Sequence, residues 1–130
     1  FPRHIDLDYI LVEGDVLPMF SDWQVLETPG HTLVDLSIFH AKSSTAYVAD
    51  CIIGSRTWYS RPYPIHSPVQ YRNSLGRFVE LGIQNFLLAH YGEHQIPAEQ
   101  IQTLIDGLGD DPRKHLLTVQ KKAGKSVGLL

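Results

Sequence analysis

The sequence is poor in several features that define whole classes of protein. Cysteine occurs once, at Cys51, which excludes an internal disulfide and a cysteine-rich zinc site. The 11 basic residues are outnumbered by 14 acidic ones, whereas a broad nucleic-acid-binding surface needs a basic excess. No apolar run approaches the ~20 residues of a membrane-spanning helix. We therefore expect a cytoplasmic protein in a reducing compartment, with neither a nucleic acid nor a membrane as partner.

Methionine is also scarce, since the chain starts at Phe1 and its single methionine is Met19. Residue 1 is therefore not expected to be the natural start. The length of 130 residues suits one domain, and a composition that is 43% hydrophobic and 19% charged is typical of a globular protein. We expect residues 1–130 to be a single truncated domain, with 109–130 forming a C-terminal helix and tail.

Strands are predicted in the first half of the chain. Apolar or alternating runs cover 8–13, 23–28, 36–41 and 46–49, and turn residues separate them. Pro18 limits 16–20 to an edge strand or a loop. The connector 54–67 holds Trp58, Tyr59 and two prolines, which is typical either of a functional lid or of aromatic side chains that pack over a small core.

Helices are predicted mainly in the second half. Ser67 is a good N-cap, Pro68 suits the first helical position, and Tyr71, Leu75 and Phe78 repeat on one helical face. A strand over 85–91, a helix over 97–108 and a last helix between residues 110 and 124 follow. The fold class is α/β (α+β), with a mostly antiparallel or mixed sheet and covering helices.

Three candidate metal ligands each follow a predicted strand. They are His31 after a Pro-Gly turn, Asp50 after 46–49, and His90 after the apolar run 86–89. Strand ends meet at one rim of a sheet, and imidazole and carboxylate suit zinc, iron or manganese. A single loop histidine is more often merely solvated or hydrogen-bonded, and this remains the alternative to a shared metal site.

These segments resemble motifs of the metallo-β-lactamase fold superfamily, which includes the hydroxyacylglutathione hydrolases. Thr-Pro-Gly-His-Thr at 28–32 is similar to the third motif of the family. Asp50 after an apolar strand is similar to the fourth, and His90 in Leu-Leu-Ala-His-Tyr-Gly-Glu is similar to the fifth. The motifs occur in the family's order, and the resemblance covers about residues 10–108.

The resemblance implies the C-terminal half of a four-layer αβ/βα sandwich with two metal ions in a groove at one edge. His31 would bind the first ion, His90 the second, and Asp50 would bridge them as the candidate catalytic residue. Two cations ~3.5–4 Å apart lower the pKa of a bridging water and stabilise a developing oxyanion. The implied activity is hydrolysis of an ester or thioester bond in a small-molecule substrate, with zinc, or else iron or manganese, as the metal.

The family's upstream His-x-His-x-Asp-His motif is absent from this chain, in which His4 stands alone. Catalytic zinc usually has three protein ligands, so the chain by itself is expected to be inactive or weakly active. Two alternatives stay open. One is an interaction or assembly module that has lost the first metal motif, and the other is a di-iron redox relative.

The remaining candidates concern the substrate and the partner. Tyr63, His66 and His94 are candidate substrate-binding residues, and for His94 the alternative is that it orients His90. Cys51 is expected to be a buried, inert thiol. Half of the sandwich exposes an apolar sheet face. Leaving ~1,000 Å² unburied forgoes about 25 kcal/mol. We therefore expect a homodimer, or pairing with the missing N-terminal half.

Overall fold

Eight strands, two α-helices and two single-turn 3₁₀ helices (Ala41–Ser43 and Ala49–Cys51) lie within residues 4–90 and 92–109, the part of the chain that the computed structural model describes. In chain order the strands and α-helices are β1 (Val16–Leu17), β2 (Phe20–Glu27), β3 (Leu36–His40), β4 (Thr45–Tyr47), β5 (Ile53–Gly54), β6 (Tyr59–Ser60), α1 (Pro68–Glu80), β7 (Asn85–Leu87), β8 (Glu93–Gln95) and α2 (Ala98–Asp106). The helix predicted between residues 110 and 124 lies outside the described residues.

Six of these strands form one mixed sheet in the order β1-β2-β3-β4-β7-β8. Only β4 and β7 pair in parallel, and the chain between them contains the β5–β6 hairpin and α1. Because β2 is antiparallel to β3 and β3 is antiparallel to β4, the strands β2, β4 and β7 run in the same direction. Their C-terminal ends therefore lie at one edge, which we call the carboxyl edge.

One face of the sheet is covered by the two helices. Phe39, Ala46 and Phe86 form a row across β3, β4 and β7 and belong to the same buried cluster as the helix residues Tyr71, Leu75, Phe78, Ile101 and Leu104. Phe78 meets Phe86 edge to face, with ring centroids 5.7 Å apart. Burial of this apolar row is the main force that fixes α1 and α2 against the sheet.

The opposite face of the sheet presents side chains that this core does not include. Val25, Ile38, Tyr47 and Leu87 form its central cross-strand row, and Leu36 lies beside it on β3. We call these five residues the open face. Val25 is buried, but Leu36 is 47% exposed and Tyr47 37% exposed.

The predicted fold class is confirmed, since a mostly antiparallel, mixed sheet carries covering helices. The helix start is also confirmed, because the Ser67 side chain accepts a hydrogen bond from the Gln70 N–H and Pro68 opens α1. The strand predicted over 8–13 is wrong, and the connector 54–67 contains a hairpin that the sequence did not predict. Within the described residues, no helix has the length and apolar character that a bilayer crossing requires.

Candidate metal centre at the carboxyl edge

Asp50 and His90 come together because their strands are parallel neighbours. Tyr47 of β4 pairs with Leu87 of β7, and each candidate ligand follows its strand by three residues. The Val48 N–H donates to the Leu87 carbonyl, and the Ala89 N–H donates to the Ala49 carbonyl, which continues the pairing past the strand ends. Asp50 Oδ1 lies 3.6 Å from His90 Nε2, and the two side chains are 45% and 72% exposed. The pair is therefore open to solvent and to a ligand.

His31 lies in the turn after β2, at the same edge of the sheet. The turn is fastened to α1, since the Ser74 hydroxyl donates to the Pro29 carbonyl at 2.7 Å and the Ser67 N–H donates to the Gly30 carbonyl at 2.9 Å. On its other side, the Asp35 carboxylate accepts hydrogen bonds from the Thr32 N–H and hydroxyl. His31 Nδ1 lies 2.6 Å from the Pro64 carbonyl oxygen.

The described residues do not complete a metal site. Among residues 4–90 and 92–109, no group of three or more His, Cys, Asp or Glu side chains is placed to hold a metal ion. Asp50 and His90 supply one oxygen and one nitrogen, whereas a catalytic zinc usually has three protein ligands. This pair alone does not fit a catalytic metal ion, and the described residues by themselves do not form a metal site.

The three candidate substrate-binding residues lie in two different places. Tyr63 and His66 are exposed and flank Pro64, and the His66 N–H donates to the His31 carbonyl at 3.3 Å. His94 projects from β8 on the helix-covered face, where its Nε2 is 2.5 Å from the Ser55 carbonyl oxygen and its ring meets Tyr59. His66 thus contacts His31, Tyr63 precedes the Pro64 that also contacts it, and His94 instead ties β8 to the β5–β6 hairpin.

Two buried ionisable groups lie behind the carboxyl edge. Cys51 is buried, and this burial raises the pKa of its thiol far above the usual range, so that the thiol is not nucleophilic at neutral pH. Tyr71 donates its hydroxyl to the Cys51 carbonyl at 2.7 Å, and burial also raises the pKa of this phenol. Both groups are therefore neutral, and the bond from Tyr71 to the Cys51 carbonyl holds the turn that contains Asp50 against α1.

Sequence reasoning missed the residues that support the His31 turn. Asp35 follows Thr32 by three residues, and this Thr-x-x-Asp spacing is a recognisable signal for such a side-chain to backbone bond. The Pro64 carbonyl gave no comparable signal, because a backbone acceptor is independent of residue type and lies 33 residues away along the chain.

Comparison with solved structures finds metallo-β-lactamase superfamily proteins. A family member from Thermus thermophilus is 18% identical, with a TM-score of 0.60, and the match covers 74% of this chain and 33% of that chain. An archaeal superfamily protein from Sulfolobus tokodaii is 20% identical, with a TM-score of 0.58, over 75% of this chain and 38% of that chain. The protein TTHA1623, solved in a di-iron-bound form, is 20% identical, with a TM-score of 0.55, over 75% and 48%.

No protein-family model and no curated protein sequence matches the chain. The described chain spans about a third to a half of the length of these solved structures. At this level of identity the comparison establishes the fold, and the narrower resemblance to hydroxyacylglutathione hydrolases stays a prediction. The mixed sheet, the helices on one face and the solved structures agree that this chain has the metallo-β-lactamase fold.

Proposed function

We propose that this chain is the C-terminal portion of a binuclear metal-dependent hydrolase that acts on an ester or thioester bond of a small molecule. The observation that carries the proposal is the meeting of Asp50 and His90 at the ends of adjacent parallel strands. His31 lies at the same edge and is the third ligand that we propose. The remaining ligands come from the N-terminal half of the sandwich, and the location that we propose is the cytoplasm.

Metal content tests this proposal directly. The purified 130-residue chain is titrated with zinc, iron and manganese, and bound metal is quantified by mass spectrometry. We expect weak zinc binding that Asp50→Asn or His90→Gln abolishes, since each substitution leaves a single donor in the pair. His40→Gln is the matched control, because His40 lies at the opposite end of the sheet and bonds to Ser43. Equal binding by all of these variants would refute the site.

Activity is expected only when the other half of the sandwich is supplied. The chain is mixed with a candidate N-terminal half that carries a His-x-His-x-Asp-His motif. Hydrolysis of a chromogenic ester and of a thioester is then followed. Rates that depend on both parts and on Asp50 support the hydrolase. Because TTHA1623 was solved in a di-iron form, iron is tested beside zinc. Oxygen consumption by the iron-loaded complex with an added electron donor, faster than that of the donor and iron without the complex, would favour the redox alternative.

The second candidate function is that of an interaction or assembly module. Two observations support it: the described residues hold no complete metal cluster, and the open face exposes Leu36 and Tyr47. The partner would be a second copy of this chain or the other half of the sandwich. A chain that pairs stably yet binds no metal in either state would favour this function over the hydrolase.

A further inference from the structure

His31 has one polar contact that its place in the fold does not by itself explain. Its backbone is fixed by α1 and by the segment before it, since the Gly30 and His31 carbonyls accept hydrogen bonds from the Ser67 and His66 N–H groups. The side chain is fixed separately, by the 2.6 Å contact between Nδ1 and the Pro64 carbonyl oxygen. One short segment, 64–67, thus holds both the backbone around His31 and Nδ1 of its imidazole.

The chemistry of this contact determines where the imidazole proton lies. A backbone carbonyl only accepts hydrogen bonds, and Pro64 has no N–H that could reverse the polarity. Nδ1 therefore carries the proton, and in the neutral ring the lone pair lies on Nε2. Within residues 4–90 and 92–109, no hydrogen-bond partner faces His31 Nε2.

We propose that Pro64 is a positioning residue, whose carbonyl holds His31 as the Nδ1-protonated tautomer and leaves Nε2 free to bind a ligand. Fixing the second nitrogen of a histidine by a backbone carbonyl is a general way to orient it toward a metal or a proton. The assignment of the tautomer stands on the geometry of the chain, and its use for metal binding rests on the function proposed above.

The tautomer is measured by long-range proton–nitrogen correlation on the ¹⁵N-labelled, metal-free 130-residue chain, with the His31 signals assigned from their loss in His31→Gln. We expect a protonated Nδ1 and an unprotonated Nε2 in the wild type at a pH where the ring is neutral. A wild-type ring protonated at Nε2 would overturn the proposal without any variant having to fold.

The role of Pro64 is tested by Pro64→Ala, which removes the ring that fixes the backbone and so frees the direction of the carbonyl. We expect a mixture of both tautomers at His31. Pro18→Ala, in the β1–β2 turn, is the matched control and should keep the single tautomer. If the Pro64→Ala chain stays folded and retains only the Nδ1-protonated form, Pro64 is not the residue that fixes the tautomer.

A zinc titration of the same variants separates this inference from the proposed function. If both are correct, Pro64→Ala binds zinc about 10-fold more weakly than the wild type and Pro18→Ala does not. A fixed tautomer in a chain that never binds metal would refute the metal site and leave the positioning role intact. If Pro64→Ala contains both tautomers of His31 but keeps the zinc affinity of the wild type, His31 does not bind the metal through Nε2.

Discussion

Gly30 shows how one residue determines the position of His31. Its φ of +141° lies in the region that favours glycine, and a Cβ placed there would be 2.4 Å from Tyr71 Cα and 2.5 Å from Tyr71 N. The opposing atoms belong to the backbone of α1, so that no side-chain rotation relieves the contact. The turn lies directly against the helix because residue 30 has no side chain.

We therefore predict that Gly30→Ala lowers the free energy of unfolding by about 1–3 kcal/mol or more, from backbone strain and from the clash together. Chemical denaturation monitored by circular dichroism gives the value. Gly76→Ala is the control, because a Cβ at Gly76 within α1 meets nothing within 4 Å. It should stabilise the chain by about 0.5–1 kcal/mol. A neutral Gly30→Ala would mean that the turn does not pack on α1 as described.

A pair of buried hydroxyl groups lies next to the turn that contains Gly30 and His31. Thr28 Oγ1 and Ser37 Oγ are 2.8 Å apart, and both residues are completely buried at the junction of β2 and β3. Thr28→Val leaves the Ser37 hydroxyl without this partner, at an expected cost of about 1–3 kcal/mol.

The test of this pair is a double-mutant cycle measured by urea denaturation. Ser37→Ala alone should also destabilise, whereas the double variant should cost less than the sum of the two, since no buried hydroxyl is then left unpaired. Strict additivity of the two free-energy changes would argue that the hydroxyls do not interact.

At the scale of elements, the sequence predicted those parts whose signals are local. α1 has an N-cap serine, a proline at its first position and a clear apolar repeat, and it begins where these predict. The strand ends near His31, Asp50 and His90 were predicted to meet at one rim of the sheet, although the strand predicted over 85–91 ends at Leu87 in the structure. The meeting of Asp50 and His90 follows from the parallel pairing of β4 with β7.

The elements that were missed depend on tertiary contacts. β8 consists of Glu93, His94 and Gln95, which have little strand propensity, and it forms because β7 offers a free edge. The β5–β6 hairpin lies in a segment rich in proline and arginine, and the contacts of His94 with Ser55 and Tyr59 fasten it to β8. No local pattern predicts either one.

The turn before β1 is tied to α1 by a charged group that titrates. The Glu13 carboxylate accepts hydrogen bonds from the Arg77 guanidinium and from the Glu27 N–H, and the bond from Arg77 is the main cause that holds the pKa of Glu13 below its ordinary value of 4.5. A lowered pKa in the folded state means that this contact stabilises above the unfolded pKa. The stabilisation is lost as the pH falls through the folded value.

We accordingly predict that Glu13→Gln lowers the melting temperature modestly at pH 7 and that the difference from the wild type shrinks below about pH 4. The effect stays small because both side chains are more than a third exposed. Thermal melts from pH 3 to pH 8 measure it. Asp22→Asn, which breaks the exposed pair with Lys42, should change little at any pH. A Glu13→Gln difference that grows on acidification would contradict the sign of this argument.

At the scale of the whole molecule, two observations favour a partner that covers the open face: its exposed apolar side chains, and the partial coverage of the solved structures by this chain. The chain spans a third to a half of the solved structures that share its fold. Its open face leaves Leu36 and Tyr47 exposed within the sheet, and the N-terminal segment exposes Ile5, Leu7 and Ile10 at 70%, 67% and 80%. Exposed apolar side chains on one face of a sheet favour an interface there. We propose that the isolated chain covers it by pairing with a second copy.

Sedimentation velocity at micromolar concentration tests the pairing, with the dimer as the expected species. Tyr47→Lys places a charge on the open face and should shift the chain to monomer, because burying an unpaired ammonium group is unfavourable. Val69→Lys is the matched control, since Val69 is 57% exposed on α1, which packs against the other face. A wild-type monomer would show that the open face does not self-associate. A dimer that both variants retain would place the contact elsewhere, and the N-terminal segment would be the next surface to substitute.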